Sequence, residues 1–294
     1  MIKSLKFWKW NLLLFLVLST GLVWSVIISN SQSKLLQVSF LDVGQGDSIF
    51  IDSPVGNQVL IDGGSGRGVL RVLGSEMPFY DRTLDLIIGT HPDADHIGGL
   101  SFILDRYRVT GILTDQGQSQ TEAFDLFNTL SQKEQAKLVE GIEGTRVVLG
   151  GGAVLDIIFP DTGLEASDTN DGSVVALLRY GQNSFLLTGD ISQKVENYLA
   201  QKFGSDLDVD VLKLAHHGSK TSSSDYFLRA TSPEWAVISA EKDSRYGHPH
   251  IDVLKRLDVQ DISYINTADQ GTITFLSDGT NITCKKCEDG LDLN

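Results

Sequence analysis

The chain has little cysteine, two in 294 residues, and a shortage of positive charge, 24 Lys+Arg against 38 Asp+Glu. Two cysteines exclude a disulfide-stapled miniprotein and cannot complete a four-ligand zinc site by themselves. Cys284 and Cys287 stand in a C-x-x-C spacing that an exported chain can close as a disulfide, and they are given no catalytic part. The formal net charge of −14 repels a polyanion at long range, which counts against a DNA-coating role unless local basic groups or bound cations supply the attraction. What the chain does have is 41% hydrophobic and 21% charged residues, the proportions of a folded body able to bury a core.

The positive charge is unevenly placed. Lys3, Lys6 and Lys9 precede an uncharged stretch from Trp10 to Ser33, whose core from Leu12 to Ile28 (LLLFLVLSTGLVWSVII) is almost wholly apolar. A helix of about 20 residues crosses a bilayer, and a basic flank stays cytoplasmic. The expectation is a transmembrane signal-anchor over residues 1–33 that holds residues 34–294 outside the cell membrane as a single-pass protein. Cleavage as a signal peptide would export the same body, although no A-x-A-like site precedes Lys34.

Beyond the anchor, β-rich runs at Leu36 to Val43, Asp47 to Ile51 and Gln58 to Ile61 are separated by turn signals. Strands at Asp85 to Ile88 and Val109 to Leu113 then alternate with helical patterns at Ile97 to Tyr107 and Glu122 to Lys137. A second series runs Arg146 to Leu149, Ala153 to Phe159, Ser173 to Tyr180 and Ser184 to Leu187, a helix from Ser192 to Phe203, and strands near Val211, Trp235, Tyr264 and Thr272. Two mixed sheets packed face to face, with helices outside, satisfy this order as one domain.

All six histidines fall in three short clusters: His91 and His96 in THPDADHIGG, His216 and His217 in LAHHGSKTS, and His248 and His250 in YGHPH. His91, Asp93, Asp95 and His96 place four N/O donors within six residues. One ion rarely takes four such close ligands, whereas two ions take them in pairs and leave vacancies for water and substrate, the arrangement of two-metal hydrolases. The Ile-Gly-Gly that follows is expected to turn the chain into a helix whose N-terminus lies beneath the site.

VLIDGG (59–64), THPDADHIGG (90–99), LLTGD (186–190) and AHHGS (215–219) resemble the metallo-β-lactamase superfamily. More closely, SFLDVGQGDSIFID (39–52), DGSVVALLRYGQNSFLLTGD (171–190), LKLAHHGSKTS (212–222) and YGHPH (246–250) look like the hydrolase domain of the ComEC family of competence DNA-uptake proteins. The resemblance implies an α/β fold, a four-layer αββα sandwich, over residues 36–283. ComEC proteins also carry a multi-helix channel and an OB-like domain, for which this chain has no room, so DNA translocation is not implied.

Carried over by this resemblance, His91 and Asp93 would hold one metal, Asp95, His96 and His217 the other, and Asp190 would bridge them. Asp93 stands where the superfamily usually has histidine, which tilts the pair of divalent ions away from strict Zn2+ toward Mn2+ or a mixed preference. The histidine usual upstream of the TGD strand is replaced by TNDGS, so Asn170 or Asp171 could approach the first metal, with an ordinary Asx turn the equal alternative. Asp62 would orient the metal loop. His216 and His248 would face substrate, binding phosphate or protonating the leaving oxygen beside Asp95, while His250 is either that or a capping histidine. Ser219 and Lys220 could contact phosphate; Gly44 and Gly46 could bring backbone N–H groups to an oxyanion; Asp42 and Asp47 are outer-shell candidates.

The resemblance implies a metal-dependent hydrolase of phosphodiesters, with DNA as the leading substrate and bound cations offsetting the acidity. Small or cell-envelope phosphodiesters such as phosphorylcholine esters, and a non-catalytic scaffold, are the rivals. A β-lactamase role fits Asp93 poorly. The membrane is the expected partner through the N-terminal helix, and no protein partner is inferred.

Overall fold

The computed structural model describes residues 2–31, 35–115, 117–242, 244–285 and 287, and divides the chain into two compact units, residues 1–34 and 35–294. The first unit is a single helix, α1 (Ile2–Ser31), with side chains described from Trp8 to Trp24. Among these, Trp10, Leu13, Phe15, Leu18 and Leu22 are exposed. Among the described residues no helix is long and apolar enough to cross a membrane. The expected span from Leu12 to Ile28, and its basic flank at Lys3 and Lys6, fall partly outside the described side chains.

Among the described residues the second unit contains fifteen strands: β1 (Leu36–Phe40), β2 (Ile49–Asp52), β3 (Gln58–Ile61), β4 (Thr83–Gly89), β5 (Arg108–Thr114), β6 (Lys137–Glu140), β7 (Arg146–Gly150), β8 (Ala153–Phe159), β9 (Val175–Tyr180), β10 (Asn183–Leu187), β11 (Val211–Lys213), β12 (Trp235–Ile238), β13 (Ser263–Asn266), β14 (Ile273–Ser277) and β15 (Ile282–Lys285). They form an eight-stranded sheet ordered β15-β14-β1-β2-β3-β4-β5-β6 and a seven-stranded sheet ordered β13-β12-β11-β10-β9-β8-β7. Among the described residues seven α-helices accompany them: α2 (Gly68–Glu76), α3 (Ala94–Arg106), α4 (Glu122–Lys133), α5 (Gln193–Phe203), α6 (Asp225–Thr231), α7 (Ile251–Val259) and α8 (Thr267–Gln270).

Strand side chains alternate between faces, so a strand that is apolar at every position must be covered on both sides. In β2, Ile49 and Ile51 enter the core between the sheets, while Phe50 packs outward among Val69, Leu73, Leu100 and Phe127 of α2, α3 and α4. In β10, Phe185 and Leu187 point inward, while Leu186 meets Val195, Leu199, Phe227 and Val253 of α5, α6 and α7. The layers are therefore helix, sheet, sheet, helix. Cys284 and Cys287 form a disulfide at the end of β15.

Several boundaries differ from the sequence expectation for local reasons. The helix expected to run to Lys137 stops at Lys133, and Lys137 opens β6 beside β5. The helix after THPD begins at Ala94 with Asp93 as its N-cap residue, so Gly98 and Gly99 lie inside α3 instead of turning the chain into it. Their role is close approach: a Cβ on Gly99 would lie 1.8 Å from the Gly63 carbonyl oxygen, and one on Gly98 2.8 Å from that of Ser65. This contact lets Gly99 N–H donate to Gly64 O at 2.8 Å and presses α3 against the loop after β3.

The two parallel runs, β3-β4-β5-β6 and β10-β11-β12-β13, end on loops that carry the histidine and aspartate motifs. Because backbone blocks the added methyl, Gly99→Ala is expected to cost about 1–3 kcal/mol or more. A thermal melt should show a midpoint lowered by roughly 5 °C, and an unchanged midpoint would mean that α3 is not held at this distance.

Candidate metal centre

Three buried imidazoles meet at the strand ends, each anchored through Nδ1. His96, in the first turn of α3, donates from Nδ1 to Asp62 Oδ2 at 2.7 Å. Asp62 also accepts from Thr90 N–H (2.8 Å) and Thr90 Oγ1 (2.6 Å), so the Thr90 hydroxyl proton is committed. His91 Nδ1, 3.0 Å from Thr90 Oγ1, is then the donor in that contact, and Ser173 Oγ lies 3.2 Å away. His217 donates from Nδ1 to the Ser239 carbonyl at 2.9 Å. These bonds leave all three Nε2 atoms buried and, among the described residues, without a hydrogen-bond partner. Histidines tied by one nitrogen with the other turned toward a shared set of carboxylates are the donor arrangement of a metal site.

Asp190, after β10, lies at the centre. Its Oδ2 is 3.3 Å from His96 Nε2 and 3.3 Å from His217 Nε2, and its Oδ1 is buried without a partner among the described residues. Asp95 Oδ2 approaches His217 Nε2 at 3.7 Å. Asp93 Oδ2 stands 3.9 Å from His91 Nε2, while its Oδ1 accepts from Thr169 Oγ1 at 3.0 Å. Four sets bring three donors within 4.8 Å of one another: His91, His96 and Asp190; Asp95, His96 and His217; Asp47, Asp62 and His96; Asp47, Asp190 and His217. This chemistry of orphaned imidazole nitrogens and carboxylates fits divalent cations.

The remaining expected residues divide. Asp171 turns its two oxygens to Ser192 N–H (3.3 Å) and Ser167 N–H (3.4 Å), where it holds the loop, and Asn170 opens the same short 3-10 turn. Asp42 accepts from Gly44 N–H at 3.3 Å within its own turn. Gly46 (φ 110°) meets the backbone of Asp95, where a Cβ would stand 1.9 Å from the carbonyl oxygen, so close packing accounts for that glycine. His250 caps α7, accepting Asp252 N–H on Nδ1 at 3.2 Å. Ser219 is buried against Thr221, and Lys220 is exposed. His216 and His248 are half-buried beside His217, with ring centres 5.6 Å apart.

Sequence reasoning missed Lys213. This fully buried ammonium pairs with Asp47 Oδ2 at 2.5 Å, and Asp47 Oδ1 lies 3.4 Å from His217 Nδ1. A lone lysine among Val211, Leu212 and Leu214 was the available signal. It also missed Glu196, whose buried carboxylate accepts Ser223 N–H (2.6 Å) and Ser224 N–H (2.8 Å) below the metal loop.

The charges follow from this packing. Burial opposes the ionisation of Asp190, but His217 and His96 outweigh it and hold the carboxyl well below its usual range. Burial likewise opposes charge on His96 and His217, but Asp190 lifts both well above an ordinary histidine, with help from Asp62 for the first and Asp47 for the second. His91 is pushed down to about 3 by burial and then by the neighbouring His96. In the metal-free protein, protons on His96 and His217 thus occupy the face that a cation would take, and binding must release them.

The pH dependence has a definite sign. A raised histidine contributes stability that is complete below its unfolded pKa of about 6.5 and is lost as pH rises through its folded value. His91, His216 and His248, all lowered, are neutral in both states above about pH 7.5 and add no slope there. The chelator-treated protein should therefore melt several degrees lower at about pH 9 than at about pH 7.5. A flat profile would show that His96 and His217 are neutral in the fold.

Residues 41–240 match the family model described as Metallo-beta-lactamase superfamily. The chain is 32% identical over 259 residues to ComE operon protein 3 of Bacillus subtilis (strain 168), covering 81% of this chain and 33% of that protein. It is 32% identical over 257 residues to Recombination protein 2 of Haemophilus influenzae, covering 86% and 30%. The chain thus spans about a third of the length of these relatives. Among solved structures, the metallo-beta-lactamase fold protein YhfI from Bacillus subtilis shares the fold with TM-score 0.54 at 14% identity, covering 83% of this chain and 100% of that one. By its motifs, its layered fold and these matches, the chain belongs to the metallo-beta-lactamase superfamily, with ComEC-like competence proteins among its relatives.

Proposed function

We propose that the chain is a membrane-anchored, extracytoplasmic phosphodiesterase that uses two divalent cations and takes DNA as its substrate class. The observation that carries this reading is the trio of buried Nε2 atoms on His91, His96 and His217 gathered around Asp190, whose Oδ2 lies 3.3 Å from the last two. His91 and Asp93 would hold one ion, Asp95, His96 and His217 the other, with Asp190 between them. Bound there, Mn2+ or Zn2+ would activate a water and neutralise charge developing on the phosphate.

The chain's own residues do the rest. Asp62 and the Ser239 carbonyl keep His96 and His217 in the tautomer that presents Nε2. The Lys213 ammonium keeps Asp47 ionised beside His217 although burial opposes it. His216 and His248 stand where a phosphate enters. Burial, and then His216 and His217, hold His248 at about 4, so it is neutral near pH 7 until an anion arrives. A phosphate between the two rings supplies the counter-charge that favours protonation, and the proton can then pass to the leaving oxygen. The anchor reading rests on the unbroken helix α1 and on the apolar run flanked by Lys3, Lys6 and Lys9.

Two experiments test this. The full chain in detergent, loaded with Mn2+, Mg2+ or Zn2+, should cleave linear single- or double-stranded DNA. Asp190→Ala should lower the rate by more than the roughly 10–100-fold that losing an outer-shell partner costs. Full activity in that variant would overturn the assignment, and cleavage of p-nitrophenyl diesters but not DNA would move the substrate to small or cell-envelope phosphodiesters. Alkaline carbonate extraction should leave the chain in the membrane pellet, and its release would sink the anchor.

A further inference from the structure

We infer that Tyr246, with Arg245 and His248, forms a nucleobase-stacking platform beside the metal centre, so that the base of a nucleotide whose phosphate reaches the ions lies on the tyrosine ring. The inference rests on the phosphodiesterase reading and deepens it by naming where a nucleic-acid substrate is gripped.

A single exposed tyrosine is ordinary. This one ends a row of rings that begins at a metal-facing histidine. The His217 and His248 ring centres are 6.2 Å apart with planes tilted by 33°, and those of His248 and Tyr246 are 6.0 Å apart with planes tilted by 26°. Tyr246 is 55% exposed at the outer end. In a nucleotide, a sugar separates base from phosphate; here the His248 imidazole separates Tyr246 from the ligand cluster. Aromatic faces accept any base, which suits a site that does not read sequence.

Three further observations support the assignment. His248 Nδ1 is buried and, among the described residues, has no hydrogen-bond partner, which marks this ring as one whose polar demand the fold leaves unmet. The Arg245 guanidinium lies over the ring, its carbon 4.8 Å from the ring centre and Nη2 2.7 Å from the Tyr246 hydroxyl, so a base would stack beside it on the exposed outer part. It places positive charge, suited to a flanking phosphate, on a body that is otherwise acidic. The turn is also tied to the site, since Ser244 Oγ donates to Gln45 Oε1 at 3.3 Å and the next residue, Gly46, packs on Asp95.

The test compares two chromogenic diesters on the metal-loaded full chain: thymidine 5′-(p-nitrophenyl phosphate), which carries a base, and methyl p-nitrophenyl phosphate, which does not. Tyr246→Ala should raise KM for the thymidine diester about 10-fold, leave its kcat unchanged, and leave the methyl diester unaffected. Tyr246→Phe should keep the wild-type KM, because a ring face is all that is required. Equal losses on both substrates, or no loss on either, would overturn the platform. Should the wild-type protein hydrolyse neither diester, the phosphodiesterase reading fails by itself, and the platform is judged by fluorescence anisotropy of a labelled oligothymidylate with the cation present. Weaker binding by Tyr246→Ala than by Tyr246→Phe sustains it, and equal binding removes it.

Discussion

Asp190 is an ionised carboxylate with almost no access to water, and burying such a charge is tolerated only where cationic or hydrogen-bonding partners surround it. Those partners come from opposite halves of the domain. His96 arrives on α3 from the eight-stranded sheet, and His217 on the loop after β11 from the seven-stranded sheet. The apolar core between the sheets supplies the bulk of the driving force, but it is non-directional. Fixing the relative position of the two loops falls to the polar seam, where Asp62, Asp47 and Lys213 complete the pairing. The same seam is why cations fit, since charges arranged to neutralise imidazolium protons are arranged to neutralise a metal.

Legibility in the sequence followed the range of the interactions. THPDADH announced itself because four donors lie within six residues, and all four stand close to the cluster or at its mouth. The runs of β3 and β8 gave their bounds without correction, because turn residues end each run. Helix α2 was missed because Gly68 and Gly74 break a pattern that burial of Val69, Val72 and Leu73 nonetheless secures. β6 was absorbed into the preceding helix since its four residues are mostly exposed and have no alternation to read. Lys213 and Glu196 could not be assigned at all, because the partner of each is distant in the chain: Asp47 for the first, the Ser223 and Ser224 amides for the second.

The glycines carry a related lesson. Paired glycines after a metal motif suggest flexibility, yet Gly63 and Gly99 touch backbone to backbone and are among the most constrained positions in the domain. Their absence of side chains sets the depth at which α3 sits, and therefore the height of His96 above Asp62. Gly46 does the same for the loop that carries Asp47, resting on the Asp95 carbonyl. Motif glycines here set the distances between the loops that carry the His/Asp cluster, so these loops meet already ordered.

Backbone strain is concentrated at the same place. Asp62 (φ 57°), His216 (φ 51°), His217 (φ 55°) and Ser223 (φ 56°) all occupy the left-handed region without being glycine. Each such residue costs on the order of 1 kcal/mol and persists only where its surroundings over-determine it. For the metal loop those surroundings can be named. Ser222 Oγ donates to the Ala215 carbonyl at 2.7 Å, Glu196 accepts the next two amides, and Arg256 Nη1 donates to the carbonyls of Ser222 (3.1 Å) and Ser223 (2.9 Å). Burial pushes the Glu196 carboxyl up to about 7 even though two amides favour its charge, so the latch itself sits at an energetic cost. A loop held in strained conformation by a costly buried carboxylate is not what packing alone would select. It is what a requirement to keep two adjacent histidines turned apart, His217 toward Asp190 and His216 away from it with ring planes 77° apart, would impose.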